Sequence, residues 1–200
     1  MLSEGERSRL VEGDDADFYA QPRLVHHVDE GFRARLTALY REHLADGDRV
    51  VDIMSSWVSH LPEEWSGEVV GHGMNAAELD ANDRLDEYWT GSFNDDPTFP
   101  LADASVDAVL CAVSVQYLQY PAEVFAEIAR VLRPGGVVVV SFSNRMFVQK
   151  AVRAWRERDM DGRADLVCEY VRSTGAFDEP TVVRDRPATD PFYAVVARRP

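Results

Sequence analysis

The chain of 200 residues is long enough to bury one sizeable core, and it has no apolar stretch long enough to cross a bilayer. A net charge of −14 argues against a nucleic-acid backbone as partner. An acid-rich chain whose only lysine is Lys150 also fits a protein adapted to very high salt, where screening removes self-repulsion. Cys111 and Cys168 lack CxxC or Cys/His spacing, so no metal site or disulfide framework is expected, and the charged N-terminus is unlike a signal peptide, which implies a cytoplasmic location.

The first seventeen residues are acidic and are expected to fray. Residues 1–31 read as an acidic N-terminal tail and lid-like segment ahead of a main domain over 32–200. Apolar residues at Phe32, Leu36, Leu39, Tyr40 and Leu44 mark one face of a helix, which "DGD" at 46–48 ends. Arg49 to Ile53 predicts a buried strand. A second short strand ends near Gly71 to Gly73, and Asn75 follows as a helix cap. Residues 85–101, with "NDDPTFP", predict an irregular stretch. "VDAVLCAVSV" (106–115) predicts a strand buried on both faces.

"PAEVFAEIARVLRPGG" (121–136) is a helix with Pro121 in its first turn and a Pro-Gly-Gly stop. "VVVVSFSN" (137–144) is the next strand. Helices are expected at about 148–158 and 165–174, the latter closing at Gly175. "PTVVRDR" and "FYAVVARR" complete the chain as two consecutive strands. Strands alternating with helices at this spacing predict an α/β domain, a parallel sheet covered by helices on both faces.

The stretch "DASVDAVLCAVSVQYLQYPAEVFAEIARVLRPGGVVVVSFSN" resembles the class I S-adenosylmethionine-dependent methyltransferase superfamily, of the methyltransferase type 11 kind. It also resembles an uncharacterised subgroup in which an "MSSWVSHLP"-like turn replaces the glycine loop. The resemblance covers about 32–200, and for the subgroup also "FYAQPRLVHHVD". It implies a Rossmann-like fold with a seven-stranded, mostly parallel sheet whose last strand is antiparallel. It further implies S-adenosylmethionine as cofactor and a small-molecule acceptor. "RPGG" itself contributes no reacting atom, so function must reside in loops at the carboxyl ends of the strands.

Under that resemblance Asp52 ends the first strand, and the following turn wraps the methionine end of the cofactor. Met54, Ser56 and Val58 stand where the family usually has glycines. The cofactor carries a carboxylate, an ammonium and a sulfonium rather than a phosphate, so Ser55 and Ser56 hydroxyls are chemically reasonable substitutes and Asp52 can pair with the positive end. Read from the residues alone, the same stretch is also a strand-to-helix turn whose polar groups satisfy its own backbone. The family's ribose-binding acid is replaced by Gly73, with Met74 beside it and His72 and Asn75 as the nearby polar groups, and Gly73 is a candidate for positive φ. Under the resemblance Phe93 could cover an adenine face and Asn94 bond its edge, while the residues alone fit a solvated loop with one buried Phe equally well. Ala112 falls after the fourth strand, where the family touches the cofactor.

Methyl transfer is an in-line displacement in which positioning supplies most of the acceleration, and a base is needed only if the acceptor must lose a proton. Candidates are His27 or His60 as base, with Tyr117 and Arg145 beside the reacting groups. Trp57, Gln116 and Asn144 are further candidates for the same crevice, and Arg23 and Arg145 could hold an acidic acceptor. No "NPPY" or "DPPY" turn of amino-methylating DNA enzymes follows the fourth strand. Two rivals remain: a methyltransferase-fold protein that serves as a nucleoside-binding or regulatory module without catalysis, and a Rossmann dehydrogenase. The absence of GxGxxG after any strand weighs against the second.

Overall fold

A computed structural model describes all 200 residues. The strands are β1 (Arg49–Ile53), β2 (Glu68–Gly73), β3 (Glu87–Thr90), β4 (Val106–Ala112), β5 (Leu132–Phe142), β6 (Thr181–Asp185) and β7 (Phe192–Arg198). They form one sheet in the order β3-β2-β1-β4-β5-β7-β6. Neighbours from β3 to β5 are parallel, and β7 runs antiparallel to both β5 and β6. The Rossmann-like sheet with an antiparallel last strand is therefore the observed fold. Strands are added outward from β1 on one side (β2, β3) and from β4 on the other (β5), and this switch between β1 and β4 opens a crevice at their carboxyl ends.

Strand alternation sends successive side chains to opposite faces. Val50, Ala108, Leu110, Val137 and Val139 pack under helix α3 (Glu30–His43) through Phe32, Leu36, Leu39 and Tyr40. Val51, Val109, Cys111, Val138 and Val140 face the other way, against helices α5 (Pro121–Val131) and α7 (Met160–Ser173). Cys111 and Cys168 are buried and unpaired, and burial pushes the Cys111 thiol up to about 12.

Several elements differ from the sequence expectation. The irregular stretch 85–101 contains β3, a short and largely exposed edge strand (Glu-Tyr-Trp-Thr) that is set in place by its pairing with β2. The expected helix 148–158 shrinks to α6 (Arg153–Arg156), because the Val152 N–H is taken by Gln116 O before a helix can propagate. α7 begins at Met160 with Asp159 as its cap, earlier than 165. β4 stops at Ala112, because Val113 turns to φ +55.

The first seventeen residues are not frayed. Helices α1 (Glu4–Arg7) and α2 (Asp15–Tyr19) pack against the body, with Leu2 and Asp15 buried. Lys150 explains it. Its Nζ donates to Asp15 Oδ1 at 2.9 Å and to Gly13 O at 3.0 Å, and Arg9 Nη1 donates to the same carboxylate at 2.5 Å. Burial pushes the Asp15 pKa up, yet hydrogen bonds from Lys150 and Asn94 and the charges of Arg9 and Lys150 outweigh it and hold it below the usual carboxylate range.

Candidate functional site

Beyond the carboxyl ends of β1, β2 and β4 lies a cavity of about 340 Å³, roofed by Tyr19, Arg23, His26 and His27 of the N-terminal segment. Its wall brings together Asp52, Met54, Ser55, Ser56, Gly73, Met74, Asn75, Phe93, Asn94 and Ala112 with His27, His60, Tyr117 and Arg145. Trp57 also lines it. Gln116 and Asn144 do not: Gln116 is buried with its Nε2 donating to Val113 O at 2.8 Å, and Asn144 faces a separate groove beside Asp190.

The turn after β1 is built without glycine. Met54 nonetheless takes φ +54, the left-handed conformation that glycine adopts most cheaply. Asp52 is 7% exposed, and its one side-chain partner is the Ser55 hydroxyl, which donates to Oδ2 at 2.7 Å. Burial pushes its pKa up to about 7. A carboxylate so poor in donors is primed for a cationic partner from the cavity.

His72, on β2, holds this turn. The Met54 N–H donates to its Nδ1 at 3.2 Å, so Nδ1 is unprotonated, and Nε2–H donates to Gly91 O at 3.0 Å. Burial keeps the imidazole neutral, with its pKa lowered to about 4. Phe93 stacks on this ring at 3.8 Å and on Phe99 at 4.9 Å. The ring expected to cover an adenine is thus already stacked within the protein.

At the end of β2, Gly73 does not have positive φ. It is required for space: a Cβ there would come 2.7 Å from Ser55 O and 3.2 Å from Leu79 Cδ2. The acid usual at this position is excluded by the turn. Glu78, on helix α4 (Ala76–Asp80), reaches the same wall, accepting the Ser56 hydroxyl at 2.5 Å and the Arg23 N–H at 2.7 Å.

Asn75 caps α4 through the Glu78 N–H at 3.2 Å, and its Nδ2 donates to Tyr19 O and Ala20 O. Asn94 accepts the Gln119 N–H, and its Nδ2 donates to Asp15 Oδ2 and Tyr117 O. Both amides tie the N-terminal segment to the sheet, and Asn94, expected at an adenine edge, has its oxygen and nitrogen engaged within the protein.

The two candidate bases are neutral. His60 is lowered to about 4, by burial first and then by the charges of Arg33 and His26, and burial lowers His27 as well. The Tyr117 hydroxyl accepts the Phe147 N–H at 2.8 Å, and Arg145 Nε donates to Asp190 Oδ1 at 2.7 Å with most of its side chain exposed. Sequence reasoning passed over Glu78 and Arg33 as wall residues, and it noted His72 only as a nearby polar group. Helix periodicity places Arg33 beside core residues, but nothing local shows what it faces.

No cluster of His, Cys, Asp or Glu could hold a metal ion, and no helix is long and apolar enough to cross a membrane.

Among protein families, a methyltransferase domain matches residues 57–140. A malonyl-[acyl-carrier protein] O-methyltransferase of Hahella chejuensis (strain KCTC 2396) is 26% identical over 168 residues, covering 79% of this chain and 60% of the relative. The chain therefore spans under two thirds of that relative's length. The [4+2]-cyclase SpnF superposes with TM-score 0.63 at 15% identity, covering 90% of this chain and 89% of its own. Phosphoethanolamine N-methyltransferase 2 of Haemonchus contortus, in complex with S-adenosyl-L-methionine, gives TM-score 0.63 at 14% identity, covering 84% of this chain and 53% of its own. Family match and fold agree: residues 57–140 are similar to a methyltransferase domain, and the chain has the Rossmann-like fold of the solved methyltransferase on which it superposes.

Proposed function

We propose that the protein transfers a methyl group from S-adenosylmethionine to a small-molecule acceptor. One observation carries the reading: a buried, donor-poor Asp52 carboxylate stands at the end of β1, beside a turn that reaches a glycine-like conformation without glycine. The residues present suit the cofactor's charges. Asp52 would take its ammonium, and Ser55 and the backbone of Ala112 and Val113 would line its amino-acid end. When bound, S-adenosylmethionine supplies an electrophilic methyl on a sulfonium.

The chain's own contribution is to orient and to exclude water. Residues 1–31 act as a lid, since Tyr19, Arg23, His26 and His27 roof the cavity. A neutral His27 can accept a proton on its ring from a hydroxyl or amine acceptor, and His60, held near 4, is the weaker base. The acid excess supports work in a salt-rich cytoplasm, which rising melting temperature in molar KCl would test.

Calorimetry with S-adenosylhomocysteine and NAD, followed by transfer of a labelled methyl, tests the activity. The Hahella relative's name supplies a first acceptor to assay, a malonyl group on a carrier protein. Binding of S-adenosylhomocysteine with no transfer to any acceptor would favour a non-catalytic nucleoside-binding module.

A further inference from the structure

Helix α3 carries three arginines, and two of them follow the rule expected of a chain with 35 acidic and 21 basic residues. Arg35 pairs with Asp185, and Arg41 pairs with Glu64. Arg33, the one that lines the cavity, pairs with no carboxylate. Its Nη1 donates instead to Nε2 of His26 at 3.1 Å, and its Nε is buried without a partner. In a protein with so large an acid excess, a cavity-lining guanidinium left with a neutral imidazole as its only side-chain partner is a site kept clear of internal acids.

The surroundings suit an anion. His26 lies against the Trp57 ring at 4.9 Å, and the Trp57 indole N–H donates to Val25 O at 3.2 Å, which fixes the aromatic wall. His60 faces the same charge, and its imidazole is held neutral by burial and then by Arg33. The pKa of the largely exposed His26 is lowered as well, by partial desolvation first and then by the charge of Arg33. Two neutral imidazoles beside a guanidinium can each offer a ring N–H to an incoming oxygen, and the guanidinium fork matches a carboxylate.

We propose that Arg33, with His26 and His60, forms a carboxylate-binding site in the cavity wall. This deepens the methyltransferase reading and rests on it. The carboxylate has two sources, the α-carboxylate of the cofactor's amino-acid end or a carboxylate of the methyl acceptor, and either forms charge-assisted hydrogen bonds in place of the His26 contact.

The test is calorimetry on the full chain and on Arg33→Gln and Arg33→Lys, each checked by circular dichroism. Three probes are used: S-adenosylhomocysteine, 5′-methylthioadenosine (the same nucleoside without the amino acid) and malonate added to the S-adenosylhomocysteine-loaded protein. If the site takes the cofactor's carboxylate, Arg33→Gln weakens S-adenosylhomocysteine at least ten-fold and leaves 5′-methylthioadenosine unchanged. If it takes the acceptor's, both nucleosides bind as before and malonate binding is lost. In either case Arg33→Lys, which keeps charge but not the fork, recovers part of the loss.

A folded Arg33→Gln that binds all three probes like the parent overturns the proposal, as does equal weakening of both nucleosides, which would mean that Arg33 only braces the wall. If the parent binds neither nucleoside, the methyltransferase reading fails instead. Malonate binding to the unloaded parent, lost in Arg33→Gln, would then uphold the carboxylate site, and its absence would overturn it.

Discussion

The backbone N–H of Met54 donates to Nδ1 of His72 at 3.2 Å, so an imidazole on β2 clamps the turn that follows β1. The same ring donates through Nε2 to Gly91 O beyond β3 and stacks on Phe93. One neutral side chain thereby aligns three of the loops that wall the cavity, and it holds Met54 in a conformation costing about 1 kcal/mol or more outside glycine.

His72→Phe should keep the stack and lose both hydrogen bonds. The orphaned Met54 N–H alone costs about 1–3 kcal/mol. The pH dependence has a definite sign. The folded His72 titrates near 4 and an unfolded histidine near 6.5, so the unfolded chain takes up its proton first. Stability from the neutral ring is complete above about 6.5 and is lost as pH falls toward 4. The melting-temperature gap between parent and variant should therefore narrow from pH 7 to pH 4. A constant gap would show that His72 does not titrate in that window.

Asp52 behaves in the opposite sense. Its folded pKa, about 7, lies above the ordinary 3.8, so the buried acid contributes no penalty below about 3.8 and its ionisation costs stability as pH rises through 7. Asp52→Asn should be more stable than the parent at pH 8 by roughly 2–4 kcal/mol, with the gain gone at pH 4. The same variant should bind S-adenosylhomocysteine at least ten-fold more weakly. Urea unfolding at the two pH values and calorimetry measure both, and a variant destabilised at pH 8 would place the Asp52 carboxylate in a structural role.

Gly73→Asp would restore the acid that the superfamily usually carries here, but the structure predicts no gain in affinity. The added Cβ would press on Ser55 O at 2.7 Å, and overpacking of this kind costs about 1–3 kcal/mol. The urea midpoint should fall for Gly73→Ala and Gly73→Asp alike. Tighter S-adenosylhomocysteine binding by a fully stable Gly73→Asp would show that the Ser55 turn gives way easily.

Asp15→Ala should cost about 3–5 kcal/mol, because it leaves Lys150 buried without its carboxylate and Arg9 with only the more distant Glu12. Adding Lys150→Met should recover part of that loss, since the uncompensated ammonium is gone. Urea denaturation of the single and double variants reads the coupling. Strictly additive losses would mean that the N-terminal segment is held by contacts other than this cluster.

The sequence by itself determined the elements whose signals are local. The continuous apolar run of β4 pointed to a strand covered on both faces, Pro121 and the Pro-Gly-Gly stop bracketed a helix that ends at Val131, and Asn75 announced the start of α4. It also named, through the turn after β1 and the loops after β2 and β4, residues that line one cavity, though not Arg33 or Glu78. What it left open depended on partners remote in the chain. β3 is only four residues long and largely exposed, and it is set in place by pairing with β2. The N-terminal segment is ordered by a lysine more than a hundred residues away, and Gly73 is required by a carbonyl on a neighbouring turn. Arg33 is distinguished from Arg35 only by what it faces. Periodicity and capping record a residue's relation to its near neighbours, whereas space, charge pairing and edge-strand pairing are fixed by contacts that form only when the chain closes on itself.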